Sequence, residues 1–190
     1  MGLGEEFARQ LAARGENVVI VARSADKLQS LASKLEREHG IEAFPLALDL
    51  ARAEAAEEVA KFLDQRGIAP KWLINNAGFG LTGPLARQEP QRTAEMIRLN
   101  CGTLVELTHR LLPALRQTKA PRIVNVASTA AFQPIPHFAV YGATKAFVLS
   151  FSEALHEELR EEGVRVLALC PGPTRTQFHV AASMDESIFA

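Results

Sequence analysis

Tyr141 and Lys145 stand four residues apart in Tyr-Gly-Ala-Thr-Lys, and Ser128 precedes them by thirteen positions. If the stretch is helical, positions i and i+4 share a face, so a phenol and an ammonium occupy one small volume. Such a pair can move protons. A phenol titrates near about 10 in water, and a neighbouring cation favours its anion and draws the pKa toward neutrality. A serine ahead of the pair can hydrogen-bond an oxygen that gains and loses charge. Tyr-x-x-x-Lys also occurs on ordinary helices as a half-buried tyrosine beside a solvated lysine. Here Tyr141 is the only tyrosine in the chain, and it keeps particular company.

That company comes from the elements that must position the pair. Short β-branched runs alternate with longer amphipathic stretches, the pattern of strands joined by helical crossovers in a mostly parallel sheet. The sequence predicts a helix over 4–14 closed by Gly15, a strand Asn17–Ala22, and a helix capped by Ser24 and closed by Gly40. A strand Ala43–Leu48, a helix Glu54–Gln65 and a strand Trp72–Asn75 follow. One long helix over Gln91–Gln117 leads to strand Arg122–Ala127, then a helix bearing Tyr141 and Lys145 runs to Glu162, and Val164–Leu169 is the last strand. In open α/β sheets ligands sit beyond the carboxyl ends of the strands. That rule singles out Arg23, Asp49, Asn76-Ala77-Gly78, Ser128 and Pro171-Gly172.

Composition bounds the reading. With 190 residues, 47% of them hydrophobic, the chain fits a single domain over 1–190 with an ample core. A net charge of −1 with acids and bases interspersed gives no surface for nucleic acid. No apolar run approaches the roughly 20 residues of a membrane span, no secretory leader is visible, and a cytoplasmic location is expected. Cys101 and Cys170 lack Cys-x-x-Cys spacing, and the five histidines lack paired ligand spacing, so neither a disulfide framework nor a metal site is indicated.

Together these features resemble the short-chain dehydrogenase/reductase family from Gly2 to about Phe178. The motifs are Gly2-Leu3-Gly4 opening a helix, Asp49-Leu50, Asn75-Asn76-Ala77-Gly78, Asn100 inside a long helix, Ser128, Tyr141-x-x-x-Lys145, and Pro171-Gly172-Pro-Thr174-Arg-Thr176. The resemblance implies a Rossmann-like, doubly wound, mostly parallel sheet flanked by helices. It implies hydride transfer between NADP(H) and a carbonyl or secondary alcohol, with Tyr141 as general acid and base. Lys145 would lower the tyrosine pKa and bind the nicotinamide ribose, Ser128 would hold the substrate oxygen, and Asn100 would anchor a water joining Lys145 to solvent. For the cofactor, Gly2, Leu3 and Gly4 would start the phosphate-facing helix, and Asp49 with Leu50 would meet the adenine. Asn76, Ala77 and Gly78 would meet the adenosine ribose region, and Pro171, Gly172, Thr174 and Thr176 the nicotinamide side. Arg23 stands where an acidic residue would mark NAD; a base there accommodates a 2′-phosphate and favours NADP, or is a solvated loop cation. A homodimer or homotetramer is implied, and Phe147, Val148, Phe151 and Leu155 give the Tyr141 helix more apolar surface than one core face needs.

The resemblance also leaves a gap. The family's first strand and the Thr-Gly-x-x-x half of its glycine-rich turn have no counterpart before Gly2. That strand would lie mid-sheet, between Asn17–Ala22 and Trp72–Asn75. Each buried unpaired backbone group costs on the order of 1–3 kcal/mol, so either the two strands close up or another segment fills the slot. The chain is also short beyond the Pro-Gly loop, and Val180–Ala190 show no pattern. The alternative reading is therefore a non-catalytic relative that binds nucleotide weakly or serves as an interaction module.

Overall fold

The computed structural model describes residues 2–173. Helix α1 (Leu3–Ala12) buries Ala8 and Ala12, and the turn after it uses Gly15 at φ +77°, a left-handed conformation that glycine adopts without strain. Strand β1 (Val18–Ala22) then leads through Arg23 to α2 (Ala25–His39). Gly40 ends α2 at φ +65°, its N–H bonded to the Glu36 carbonyl. Ser24 occupies the N-cap position as predicted, but its hydroxyl makes no capping hydrogen bond.

The chain continues through β2 (Ala43–Ala47), α3 (Ala55–Asp64) and β3 (Trp72–Asn75). The expected single long helix is in fact three pieces: α4 (Pro90–Ile97), a π-helical segment Arg98–Thr103, and α5 (Leu104–Leu115). The wide turn falls on Asn-Cys-Gly, where polar and small residues weaken regular helix. Strand β4 (Arg122–Val126), helix α6 (Ala139–Leu159) and strand β5 (Arg165–Leu169) complete the described order.

All strand pairing is parallel, in two separate sheets of order β1-β2 and β3-β4-β5. Among the described residues one edge of β1 and one edge of β3 carry no strand partner, and both strands line a cavity of about 2120 Å³. β1 and β3 are not paired with each other. Alternation along β1 explains why the two sheets still form one body. Val18 and Ile20 enter the core of α1 and α2, whereas Val19 and Val21 turn the other way, against the core built by α3, α5 and α6. Helices thus cover both faces, and α3 and α5 pack together as one layer. The fold is the expected Rossmann-like α/β architecture, with no strand between β1 and β3 among the described residues.

Candidate active site

The end of β4 and one face of α6 bring Ser128, Tyr141 and Lys145 together. Beyond Val126 the backbone stays extended through Ser128, which opens a short 3-10 turn over Thr129–Ala131. Its hydroxyl accepts the Ala130 N–H at 3.1 Å and also hydrogen-bonds Tyr141. On α6, Tyr141 and Lys145 are 8% and 6% exposed, so the pair is buried rather than a solvated surface motif. Lys145 Nζ donates to the Val126 carbonyl at 2.8 Å and lies 5.8 Å from the centre of the Tyr141 ring. One strand end therefore fixes both proton-handling side chains.

Their electrostatics differ from the expectation. Burial pushes the Tyr141 phenol above its usual 10, and the Ser128 hydrogen bond only partly opposes this. The Lys145 ammonium is held by the Val126 carbonyl and faces the Tyr141 ring. Burial instead brings Lys145 itself down to about 8, with Cys101 and Cys170 acting weakly the other way. A buried ammonium near 8 is a group that exchanges its proton close to neutrality.

Asn100 comes from the π-helical segment and is 2% exposed. Its Oδ1 accepts the Phe79 N–H at 3.2 Å, and its Nδ2 donates to the Phe79 carbonyl and to Thr144 Oγ1, both at 3.0 Å. Gly78 explains how these groups fit. A Cβ at residue 78 would meet Asn100 Oδ1 at 2.8 Å and Lys145 Nζ at 3.6 Å, so the glycine lets both side chains reach the loop after β3. The predicted role of Gly78 was approach to a ligand; its packing role here is toward the proton-handling residues.

Under the site lies a buried polar chain. Asn75 Nδ2 donates to Asn125 Oδ1 at 2.8 Å and Thr108 Oγ1 at 3.1 Å, and Asn125 Nδ2 donates to Ser152 Oγ at 2.9 Å. It ties β3 and β4 to α5 and α6 with hydrogen bonds that are costly to leave unmade.

The predicted cofactor residues share the large cavity with one exception. Gly2, Leu3 and Gly4 line it at the start of α1, and Arg23 lines it after β1. Leu50, Asn76, Ala77 and Gly78 lie along its length, with Tyr141, Lys145, Pro171 and Gly172 at the catalytic end. A Cβ on Gly4 would stand 2.7 Å from Asn76 Nδ2, so this glycine seats α1 against the end of β3. Asp49 is the exception. It is exposed, does not line the cavity, and uses Oδ1 to accept the Ala51 N–H at 3.0 Å, a local turn that carries the carboxylate away. Thr174 and Thr176 lie outside the described residues.

Three participants escaped the sequence reading. Phe79 supplies backbone partners to Asn100, Thr144 joins Asn100 to α6, and Thr103 donates to the Leu50 carbonyl at 2.7 Å. The available signal was a threonine inside a helix directly before Lys145, since mid-helix hydroxyls bond nearby backbone. Among the described residues no His, Cys, Asp and Glu cluster is suited to a metal.

Comparison with known proteins agrees with this geometry. The sequence pattern of the short chain dehydrogenase family matches residues 1–187. A very-long-chain 3-oxoacyl-CoA reductase of Phaeosphaeria nodorum is 35% identical over 171 residues, covering 87% of this chain and 50% of the relative. Among solved structures, a short-chain dehydrogenase from Sphingobium yanoikuyae in complex with NADPH has a TM-score of 0.90 and 36% identity, over 97% of this chain and 72% of that one. An alcohol dehydrogenase from Thermococcus sibiricus complexed with 5-hydroxy-NADP has a TM-score of 0.87 and 29% identity, over 95% of this chain and 76% of that one. The chain spans about half the length of the curated relatives it matches. On the matched pattern, the shared fold and the assembled Ser128, Tyr141 and Lys145, it belongs to the short chain dehydrogenase family.

Proposed function

We propose that the chain carries the active site of an NADPH-dependent carbonyl reductase acting on apolar ketones or 3-oxoacyl thioesters. The observation that carries this is the convergence of Ser128, Tyr141 and Lys145 on one wall of a cavity that runs to the N-terminus of α1. The residues fit a dinucleotide. Gly2 caps α1 without a side-chain hydrogen bond, so its first-turn N–H groups are free of a side-chain acceptor and suit a pyrophosphate. Arg23, after β1, suits a 2′-phosphate. When bound, NADPH supplies the hydride.

The chain's own residues handle the proton. Tyr141, kept neutral by burial, donates its proton to the substrate oxygen as negative charge develops there. Ser128 holds that oxygen, a preorganised contact of the kind whose loss costs about 3 kcal/mol of barrier. Lys145, held beside the Tyr141 ring by the Val126 carbonyl, is a second group that exchanges its proton near neutrality, and Asn100 steadies the wall beside it through Phe79 and Thr144. The substrate side is apolar: Phe79, Ile135 and Phe138 pack around Tyr141 and Met96 and line the cavity. The names of the fungal and mammalian relatives point the same way.

The test is NADPH consumption by the purified chain with ketones and 3-oxoacyl thioesters of increasing chain length. Turnover rising with chain length is expected. Calorimetric NADPH binding without turnover of any carbonyl would leave the second reading, a nucleotide-binding relative without catalysis. We also infer a homo-oligomer through α6, where Phe147 is 44% exposed and stacks on Phe151 at 6.1 Å; a monomer mass by light scattering would remove it.

A further inference from the structure

Between Tyr141 and Lys145 in α6, Thr144 is 4% exposed and contacted from both sides. Its hydroxyl donates to the Tyr141 carbonyl at 2.7 Å, which commits its only proton. It must then accept from its other neighbour, and Asn100 Nδ2 supplies that bond at 3.0 Å. On the far side of the amide the Phe79 backbone takes the remaining interactions, donating to Oδ1 and accepting from Nδ2. The next residue of the π-helical segment meets the same threonine, with Cys101 Sγ 3.8 Å from the Thr144 carbonyl. Two consecutive residues of the wide turn thus grip Thr144, one at its hydroxyl and one at its backbone.

We propose that Thr144 is a positioning residue for proton transfer, docking the Tyr141–Lys145 stretch of α6 onto the loop after β3 through Asn100. The physical reason is that α6 approaches that loop with few alternatives. Gly78 provides the clearance on the loop side, and the Val126 carbonyl holds Lys145 from the strand side. Thr144 supplies the third tether, from the helix itself. With valine, nearly the same volume remains, but the amide's second hydrogen loses its acceptor in a site closed to water, and Asn100 must turn or α6 must shift. Either movement changes the distance from Tyr141 to Ser128, and displacements of about 1 Å cost up to roughly 100-fold in rate. A simple core threonine would show none of this beyond stability.

The kinetic consequence rests on the carbonyl-reductase reading, so the experiment has two arms. In the first, Thr144→Val is expected to lower kcat about 10- to 100-fold with KM for NADPH unchanged within about twofold, and Thr144→Ser to restore kcat to within about twofold. In the second, tyrosinate absorbance near 295 nm reports Tyr141 alone, because the chain has no other tyrosine. Weakening the Ser128 bond moves that transition to higher pH in Thr144→Val and leaves it in place in Thr144→Ser. Unchanged kcat and an unmoved transition in folded Thr144→Val overturn the proposal. If Thr144→Val and Thr144→Ala both fail to fold, the hydroxyl is a requirement of the fold, and the positioning role is overturned as well. Should the wild-type chain reduce no carbonyl, the functional reading fails while the tyrosine titration still decides the role of Thr144.

Discussion

The two halves of this molecule are held together differently. Around β3, β4, α5 and α6, buried side chains are cross-linked by hydrogen bonds: Asn75 to Asn125 and Thr108, Asn125 to Ser152, Asn100 to Thr144 and Phe79, Lys145 to Val126. Around β1, β2, α1 and α2 the core is aliphatic, built on Leu28, Ala32 and Leu35 of α2 against Val18 and Ile20, and one edge of β1 has no strand partner among the described residues. In the proposed reaction the first half holds the reacting atoms, which tolerate displacements of only fractions of an ångström. In the proposed reaction the second has only to present a helix terminus and Arg23 to an extended ligand, and its side-chain hydrogen bonds, Asn17 with Glu42 and Glu36 with the Ala43 N–H, lie outside the buried core. Precision is built where charge moves.

The largest expected effect separates function from stability at the buried lysine. Lys145→Met should lower carbonyl reduction by about 10²–10⁴-fold, the usual contribution of positioned acid–base groups. Stability should move the other way. The folded pKa of about 8 lies below the ordinary 10.5, so below pH 8 the ammonium is charged in both states and its burial cost is fully present. Between pH 8 and 10.5 the unfolded chain keeps a proton that the folded chain has released, so wild-type stability rises with pH across that window. The shift corresponds to about 3 kcal/mol. Urea unfolding should show Lys145→Met favoured at pH 7 and its advantage shrinking toward pH 10.5; an advantage that grows with pH would contradict the burial argument.

Next in size is a pair of glycine substitutions that sets one half against the other. Gly78→Ala places a methyl 2.8 Å from an Asn100 oxygen held by the Phe79 N–H, and should cost about 1–3 kcal/mol together with most of the activity. Gly2→Ala meets nothing within 4 Å and should leave thermal stability within about 0.5 kcal/mol, changing NADPH affinity at most. Equal losses in the two variants would erase the distinction between a packed site and an open cradle.

The smallest effect is on local opening. In a parallel pair alternate N–H groups point to opposite edges, and Val18 N–H already bonds the Glu42 carbonyl on the β2 side. Those of Val19 and Val21 therefore face the other edge, which has no strand partner among the described residues. Hydrogen exchange should be fast there and slow at Ile123, Val124 and Asn125, which are paired on both sides. Uniform protection across both sheets would contradict an unpaired edge on β1.

Much of this was legible in the sequence because it follows from periodicity. Period-2 and period-3.6 patterns place the strands and helices to within a few residues, and the strand-end rule finds Ser128, Arg23 and Gly78 without knowledge of contacts. What was not legible depends on three-dimensional juxtaposition. Breaking the predicted Gln91–Gln117 helix at Arg98–Thr103 requires knowing that Asn100 is drawn to Phe79. The direction of the Tyr141 shift requires knowing that the phenol is buried. Asp49 follows a strand as a ligand residue should, yet an Asx turn with Ala51 takes it out of the cavity. Proximity in sequence specified which groups are near one another, and burial decided what they do.

The central claim is that Tyr141 gives its proton to a substrate oxygen held by Ser128. The most direct measurement is pre-steady-state NADPH oxidation by wild-type chain and Tyr141→Phe at saturating cofactor with one reducible 3-oxoacyl substrate. Removal of the single hydroxyl should slow the hydride-transfer phase by about 10²–10⁴-fold while NADPH binding stays within about twofold. Equal rates in the two proteins would contradict the account.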